Sequence, residues 1–479
     1  MVNLEQQESN RGTQFLSEYF LGLSDNEIRI HNIDAYLKGV RFGFDPTTNA
    51  LGAINYTRAP TYAVTSKGRK IGLPPRKDGY AYPRYISSYG QEVLEKAISY
   101  VEQGIETGLA QSKIEGTYER PLAIVLPSGM AALTYVLNLI QNMQKKQDIS
   151  IIVAPNDCYG GTRSLIATSN INVIYAKDCT EAALQVAFDQ QNRKTHAILF
   201  ETLTNPFVRI ADTETIVRFA KDHNIITIAD STLAPFSRPL EYGADFNAIS
   251  LTKYATENNV MLGAVVVNRE RTDLFHKLIA YHDLHGSLPG EHEIRLAIST
   301  ITTMVDSFRI HSKNGLIIAN WLMQQPQISK VFYPGLGVNP QEELAQKYLG
   351  DLRGSLITFE FKRGRIAAQK FLEATNQPLR GNGSGLPGMH EQFLLAADSL
   401  GAPVTLLNYM CQQNGAYRNM TPEQRAEVGI TNGTFRLAGG TQPVEFTLAA
   451  LSKAFEAIPQ LSHRPSHKPF RNLKPMFQT

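Results

Sequence analysis

Cysteine is scarce in this chain. The three residues, Cys158, Cys179 and Cys411, form an odd set with no CxxC spacing, which argues against a disulfide framework and against a structural zinc site. Charge of either sign is not in excess: 47 Lys and Arg against 44 Asp and Glu leave a net +3, so no global field draws the protein to nucleic acid or to a membrane surface. No apolar run reaches the length needed to span a bilayer. The start, Met1-Val-Asn-Leu-Glu-Gln-Gln-Glu, lacks both a basic and an apolar leader region. A G-x-x-x-x-G-K-[ST] phosphate loop is absent, as are internal repeats and low-complexity tracts. These absences predict a soluble, cytoplasmic protein with no metal site, no nucleic-acid partner and no membrane partner.

What is present is ordinary globular material. The 479 residues are 43% hydrophobic and 19% charged, enough to bury a large core spread over two or three domains. Up to about residue 85 no long periodic element stands out beyond a helix expected near 13–22. The basic stretch Thr65–Lys77 has no interleaved aromatics and reads as a solvated loop. From about 90 to 300, short runs rich in Val and Ile alternate with helix-period segments: Ala123–Leu126, Ile151–Ala154, Ala197–Phe200, Ile225–Ala229 and Ala264–Val267. Continuous apolar strands alternating with helices predict βαβ units and a mostly parallel sheet covered on both faces. Beyond about 305, helical text at Ser307–Leu322 and Ile366–Glu373 mixes with the strand-like Ser355–Phe361, predicting a smaller α+β domain.

Ligands of such sheets collect beyond the carboxyl ends of the strands, so the residues after each run carry the chemistry. After Ala123–Leu126 come Ser128, Gly129 and Met130. A strand turning into a helix through a glycine offers free amides to a phosphate, although such junctions are also commonplace. After the next run stands Tyr159, followed by Gly160 and Gly161. That pattern suits an aromatic ring stacked on a flat ligand or an ordinary tight turn. Glu201 and Asn205 follow the third run. Asp230 ends the fourth, where a carboxylate is costly to ionise unless paired. Ser250, Thr252 and Lys253 follow a further strand, Ala248–Leu251, and burial there would depress the lysine pKa and free its amine for imine chemistry. Each signal has a bland alternative. A phosphate cradle, a stacking ring, an acid and a lysine together are what pyridoxal phosphate requires.

In these residues the chain resembles the Cys/Met-metabolism family of pyridoxal-phosphate enzymes. The likeness runs from Phe44-Asp-Pro-Thr-Thr and Tyr82-Pro-Arg84-Tyr through Ser128-Gly-Met-Ala-Ala, Asp157-Cys-Tyr-Gly-Gly-Thr, Glu201-Thr-Leu-Thr-Asn-Pro, Asp230-Ser-Thr and Ser250-Leu-Thr-Lys253-Tyr. It ends in Ser399-Leu-Gly, Met420-Thr-Pro-Glu-Gln-Arg and Gly429–Leu437. The resemblance implies the type I fold of PLP-dependent transferases. An N-terminal arm (1–85) would reach a neighbouring subunit, followed by a PLP-binding domain (86–305) and a C-terminal domain (306–479). It also implies roles. Lys253 would carry pyridoxal 5′-phosphate as an imine and move protons. Asp230 would face the pyridine nitrogen, and Tyr159 would stack on the ring and assist proton transfer. Gly129, Met130, Ser250 and Thr252 would hold the phosphate, joined by Tyr82 and Arg84 from a partner subunit of a homodimer or homotetramer. Asn205 would touch the cofactor or the substrate, and Arg436, beside Ser399, would take the α-carboxylate of a small amino-acid substrate.

Departures from the family pattern bear on specificity. The Gly-His-Ser-Asp expected after the lysine is replaced within Ala255-Thr-Glu-Asn-Asn-Val260, and Ile86-Ser-Ser-Tyr stands where Gly-Asn-Pro-Thr is usual. Ala81 replaces an acid, and Ser164 an arginine, that cystathionine-handling members carry. Asp398 keeps an acid in a place able to meet a distal amino group, and Gly161 stands where methionine γ-lyases tend to have Cys. The Asp157-Cys-Tyr-Gly-Gly phrase looks most like the γ-synthase branch. The resemblance therefore implies γ-replacement on an activated homoserine-type amino acid. A γ-lyase, a homoserine-ester sulfhydrylase, a member with another nucleophile and a non-catalytic PLP-binding partner protein are the alternatives.

Overall fold

The computed structural model describes residues 30, 34, 62–64, 70–72, 89–103, 109–111, 119–144, 148–338, 341–375, 394–411, 417 and 420–458. The helix expected near 13–22, Tyr82, Arg84 and the C-terminal tail from 459 lie outside them, as does most of the proposed N-terminal arm. Two short antiparallel pairs, β1 (Tyr62–Val64) with β2 (Lys70–Gly72) and β3 (Leu109–Gln111) with β4 (Glu119–Pro121), precede the main body.

The first large sheet has seven strands: β5 (Ala123–Leu126), β6 (Ile149–Val153), β7 (Ile171–Tyr175), β8 (Ala197–Glu201), β9 (Ile226–Asp230), β10 (Phe246–Ser250) and β11 (Gly263–Val267). Their order across the sheet is β5-β11-β10-β9-β8-β6-β7. Six strands share one direction and β11 alone runs against them, pairing antiparallel with both β10 and β5. The alternation of side chains along each strand explains the two apolar layers. Ala123, Val125, Ile152, Ile198, Phe200 and Ala229 pack on one side with Leu94, Ile98, Ile216 and Phe219. Ile124, Leu126, Ile151, Val153, Leu199 and Ile228 pack on the other with Leu133, Val136, Phe275 and Leu278. A strand buried on both faces is apolar along most of its length, and polar exceptions such as Thr227 and Asn247 are buried and hydrogen-bonded, to Asp245 and to Glu102. Strand β7 was missed by the sequence reading. Its residues are half-buried or exposed at the sheet edge, so its apolar run is interrupted by Asn172.

The second sheet has six strands: β12 (Ile328–Tyr333), β13 (Leu336–Gly337), β14 (Leu356–Phe361), β15 (Leu394–Ala396), β16 (Thr405–Tyr409) and β17 (Thr434–Ala438), in the order β13-β12-β14-β17-β16-β15. One face is aromatic: Phe359, Phe361 and Phe435 pack against Phe371 and Phe455 from the covering helices Gly364–Ala374 and Val444–Glu456. The helix Met304–Met323 joins the two halves. Met304, Val305 and Phe308 at its start belong to the first core, and Ile318, Ala319 and Leu322 near its end belong to the second. The boundary expected after residue 305 falls inside its first turn. No helix among the described residues is long and apolar enough to cross a membrane.

Candidate active site

The carboxyl ends of β5, β8, β9 and β10 lie on one edge of the first sheet, and a cavity of about 220 Å³ opens over them. Ser128, Gly129, Met130, Tyr159, Asn205, Asp230, Ser250, Thr252, Lys253, Asp398, Ser399 and Arg436 all line it. Every site residue expected from the sequence that falls among the described residues thus converges on one place.

At the end of β5, Ser128 caps the helix Gly129–Met143, its hydroxyl accepting the Ala131 amide at 3.0 Å. The next amides open the helix and have no carbonyl partner within it, and Gly129 and Met130 both face the cavity. A Cβ on Gly129 would come within 2.5 Å of the Ser250 Cβ. Only glycine lets this turn and the end of β10 approach so closely. Tyr159 precedes the helix Gly160–Thr168, and its ring rests on Gly161, where a Cβ would stand 2.4 Å from Tyr159 Cε1. The Gly-Gly pair thus seats the ring, as a stacking platform requires. Burial, and next the charge of Asp398, raise the Tyr159 phenol pKa above its ordinary value.

Asp230 ends β9 directly beside Glu201 at the end of β8. Glu201 is held by backbone donors at both oxygens, from the Tyr159 amide at 2.6 Å and the Asn205 amide at 2.9 Å. Burial and then the Asp230 charge push its carboxyl pKa well up. Burial also raises the Asp230 pKa, against the hydrogen bonds from Thr232, whose amide donates to Asp230 Oδ1 at 2.9 Å. No ion pair reaches Asp230 among the described residues. A buried acid without a cation, at the floor of a cavity beside a stacking ring, fits a ligand that brings its own positive charge, such as a protonated ring nitrogen.

Lys253 stands three residues past the end of β10, in a turn rather than on the strand. Its Nζ donates to the Ser399 hydroxyl at 3.0 Å. Burial and, next, the Arg436 charge hold its pKa below the usual lysine range, with Asp398 opposing. Thr252, expected to hold the phosphate, also lines the cavity. Its hydroxyl donates to the Leu262 carbonyl at 3.1 Å and accepts the Leu262 amide at 3.0 Å.

Arg436 comes from the middle of β17, between Phe435 and Leu437, and points away from the aromatic face. It is 2% exposed. Its Nη1 donates to Asn205 Oδ1 at 3.1 Å, and its Nη2 donates to Asp398 Oδ1 at 2.9 Å and to the Ser399 carbonyl at 3.3 Å. Asn408, its register partner on β16, donates to the same Asp398 oxygen at 2.6 Å. Asn205 and Asp398 thus both touch the guanidinium in this structure; the sequence reading set Asn205 against the cofactor or the substrate, and Asp398 against a distal amino group. Tyr417, whose hydroxyl donates to the Asn205 carbonyl at 2.7 Å, and Asn408 escaped the sequence reading, since neither stands at the end of an apolar strand.

The family model for "Cys/Met metabolism PLP-dependent enzyme" matches residues 44–456. The chain belongs to this family. Its members depend on pyridoxal phosphate, and the protein is accordingly an enzyme of amino-acid metabolism. It is 28% identical over 400 residues to an L-methionine gamma-lyase of Fusobacterium nucleatum subsp. polymorphum, covering 82% of this chain and 89% of that one. It is 30% identical over 349 residues to a cystathionine gamma-synthase of Mycobacterium leprae, covering 71% and 80%. Among solved structures, the fold matches the cystathionine gamma synthase of Xanthomonas oryzae pv. oryzae, with a TM-score of 0.70 at 23% identity, over 89% of this chain and 98% of that one. The cavity fits the family's cofactor. Gly129 clears space where a phosphate would sit, Tyr159 offers a ring face, Asp230 is met by no ion pair among the described residues, and Lys253 would supply the amine.

Proposed function

We propose that the enzyme performs γ-replacement on an activated homoserine-type amino acid, by residues that divide into a holding group and a reacting group. The observation that carries this reading is the engagement of Asp398. With Arg436 and Asn408 both donating to its Oδ1, the acid braces the arginine that would bind the carboxylate, which weakens its hold on any distal ammonium. That arrangement suits a starting substrate whose far end is an uncharged leaving group, as in an O-acylhomoserine, and does not by itself select the nucleophile.

Arg436 would take the substrate α-carboxylate in a bidentate grip. Ser399, whose carbonyl touches Arg436 and whose hydroxyl touches Lys253, keeps the amine next to the bound Cα. The lowered pKa of Lys253 leaves a larger neutral fraction near pH 7, able to take the Cα proton, hand it on, take a second from Cβ once its lone pair is free again, and return that proton after the γ-substituent has left. Pyridoxal phosphate bound on Tyr159 and Asp230 supplies the electron sink for these steps. The Tyr159 phenol, kept protonated, would donate or relay a proton. Tyr82 and Arg84 would complete the phosphate site from the neighbouring subunit of a homodimer or homotetramer.

The test is to incubate the protein with an O-acylhomoserine, with and without cysteine, and to identify products by mass spectrometry. A thioether that forms only with cysteine supports replacement. Release of 2-oxobutanoate at the same rate in both, with no thioether, would identify a γ-lyase and sink the proposal. Absence of Cα proton exchange into deuterated water for every amino acid tried would indicate a non-catalytic protein.

A further inference from the structure

The segment after Lys253 is one place where the sequence departs from its family, and the structure shows what stands there. Glu257 and Asn258 adopt left-handed backbone angles, with φ of +50° and +63°, a conformation that Asn tolerates better than most residues. The turn is tied down by the Asn258 amide, which donates to the Thr252 carbonyl at 2.8 Å. It carries the Asn258 side chain across to the segment that holds Ser399. Asn258 Nδ2 donates to the Leu400 carbonyl at 2.7 Å, and Asn258 Oδ1 accepts the Ser399 hydroxyl at 2.7 Å. The Leu400 contact fixes which end of the amide faces Ser399, because turning it over would set carbonyl against carbonyl.

We propose that Asn258 is a positioning residue for Lys253: by taking the Ser399 hydroxyl proton, it makes Ser399 a one-way acceptor for the lysine Nζ. The consequence follows from counting donors. A serine hydroxyl has one proton, and here that proton is spent on Asn258. Ser399 can then receive an N–H from Lys253 at 3.0 Å but cannot donate into the amine lone pair. The lysine is held in place while its lone pair stays free to accept a proton. Without Asn258, the hydroxyl can rotate and donate to the neutral amine, tying up the electrons that the chemistry uses. This inference rests on the reading of Lys253 as the reacting, cofactor-bearing lysine.

The charged and titratable groups facing the amine are Arg436 from β17, Asp398 from the segment before Ser399, Asp230 and Glu201 from the ends of β9 and β8, and Tyr159. None changes in the variants that follow. The experiment is competitive acetylation of the full-length chain freed of cofactor, read by mass spectrometry at Lys253 across pH. Asn258→Gly keeps the left-handed turn while removing the acceptor. It should lower the Lys253 titration midpoint by about half a unit to one unit, the effect of one hydrogen bond changing direction. Asn258→Asp keeps the acceptor, adds a negative charge and should raise the midpoint. In a Ser399→Ala background, Asn258→Gly should produce no further shift.

Shifts of the same sign for Gly and Asp, or a full Asn258→Gly shift without the Ser399 hydroxyl, would overturn the inference, since a merely structural role moves both variants alike. Borohydride reduction of the loaded full-length protein, mapped by peptide, separates this result from the underlying reading. A pyridoxyl label on Lys253 with unmoved midpoints overturns only the role of Asn258. A label on another residue overturns the reading of Lys253 itself, and with it the catalytic meaning of any shift.

Discussion

The two sheets use their residues in opposite ways. The seven-stranded sheet is apolar on both faces, so its chemistry is confined to one edge, where the strands end and backbone amides, Tyr159, Asp230 and Lys253 gather. The six-stranded sheet has one aromatic face and one polar row, in which Thr358, Arg436 and Asn408 lie side by side on β14, β17 and β16. It contributes Arg436 from the middle of a strand, brought against the first sheet's edge. A doubly covered, mostly parallel sheet gathers its reactive groups at its strand ends, whereas the mixed six-stranded sheet carries Thr358, Arg436 and Asn408 along a face that is itself buried.

That division predicts where each kind of damage appears. The largest effect belongs to the edge. Lys253→Ala should abolish turnover and the lysine-linked absorbance, while the phosphate and stacking contacts still retain free cofactor, as equilibrium dialysis would show. The next comes from the aromatic face: Phe435→Ala should cost about 3–5 kcal/mol of stability, measured by denaturant unfolding, with the substrate KM of the folded fraction unchanged. Its neighbour on the opposite face should behave the other way. Arg436→Lys should weaken amino-acid binding by about 1–3 kcal/mol, and an unchanged KM would show that the carboxylate sits elsewhere.

The smallest effect lies behind the edge. Glu102, on the helix Tyr89–Gln103, accepts Asn247 Nδ2 at 2.6 Å and the Ser231 hydroxyl at 3.4 Å, while its other oxygen is buried without a partner. Burial pushes its pKa up from 4.5 to about 8, against the nearby Arg238. Because the folded value is raised, folding takes up a proton. The contribution is complete below about 4.5 and is lost as pH rises through about 8. Glu102→Gln, which has no such proton to lose, should match the parent near pH 5 and melt a few degrees higher at pH 9. Equal melting shifts at both pH values would remove Glu102 from this account.

Much of the first sheet was legible because its strands are uninterrupted apolar runs, each ending in a residue of distinct chemistry. Gly129, Tyr159, Asp230 and Lys253 could be named from their places after those runs and then ordered by resemblance. β7 was not legible, since an edge strand needs no continuous apolar face. Asn408 and Tyr417 gave no sign, because a polar residue in an amphipathic strand or a loop is the ordinary case.

By itself, the sequence determined the family and its cofactor, and pointed to the junctions where the cofactor would sit, because a strand–turn–helix junction is written in consecutive residues. The tertiary structure decided how the substrate end is built. Asp398, Asn205 and Asn408 meet Arg436 from positions 38, 231 and 28 residues away along the chain. Likewise, Asn258 reaches Ser399 across 141 residues. Hydrogen bonds depend on distance in space and on which atom holds the proton, and neither is encoded in residue type or spacing until the two sheets have packed together.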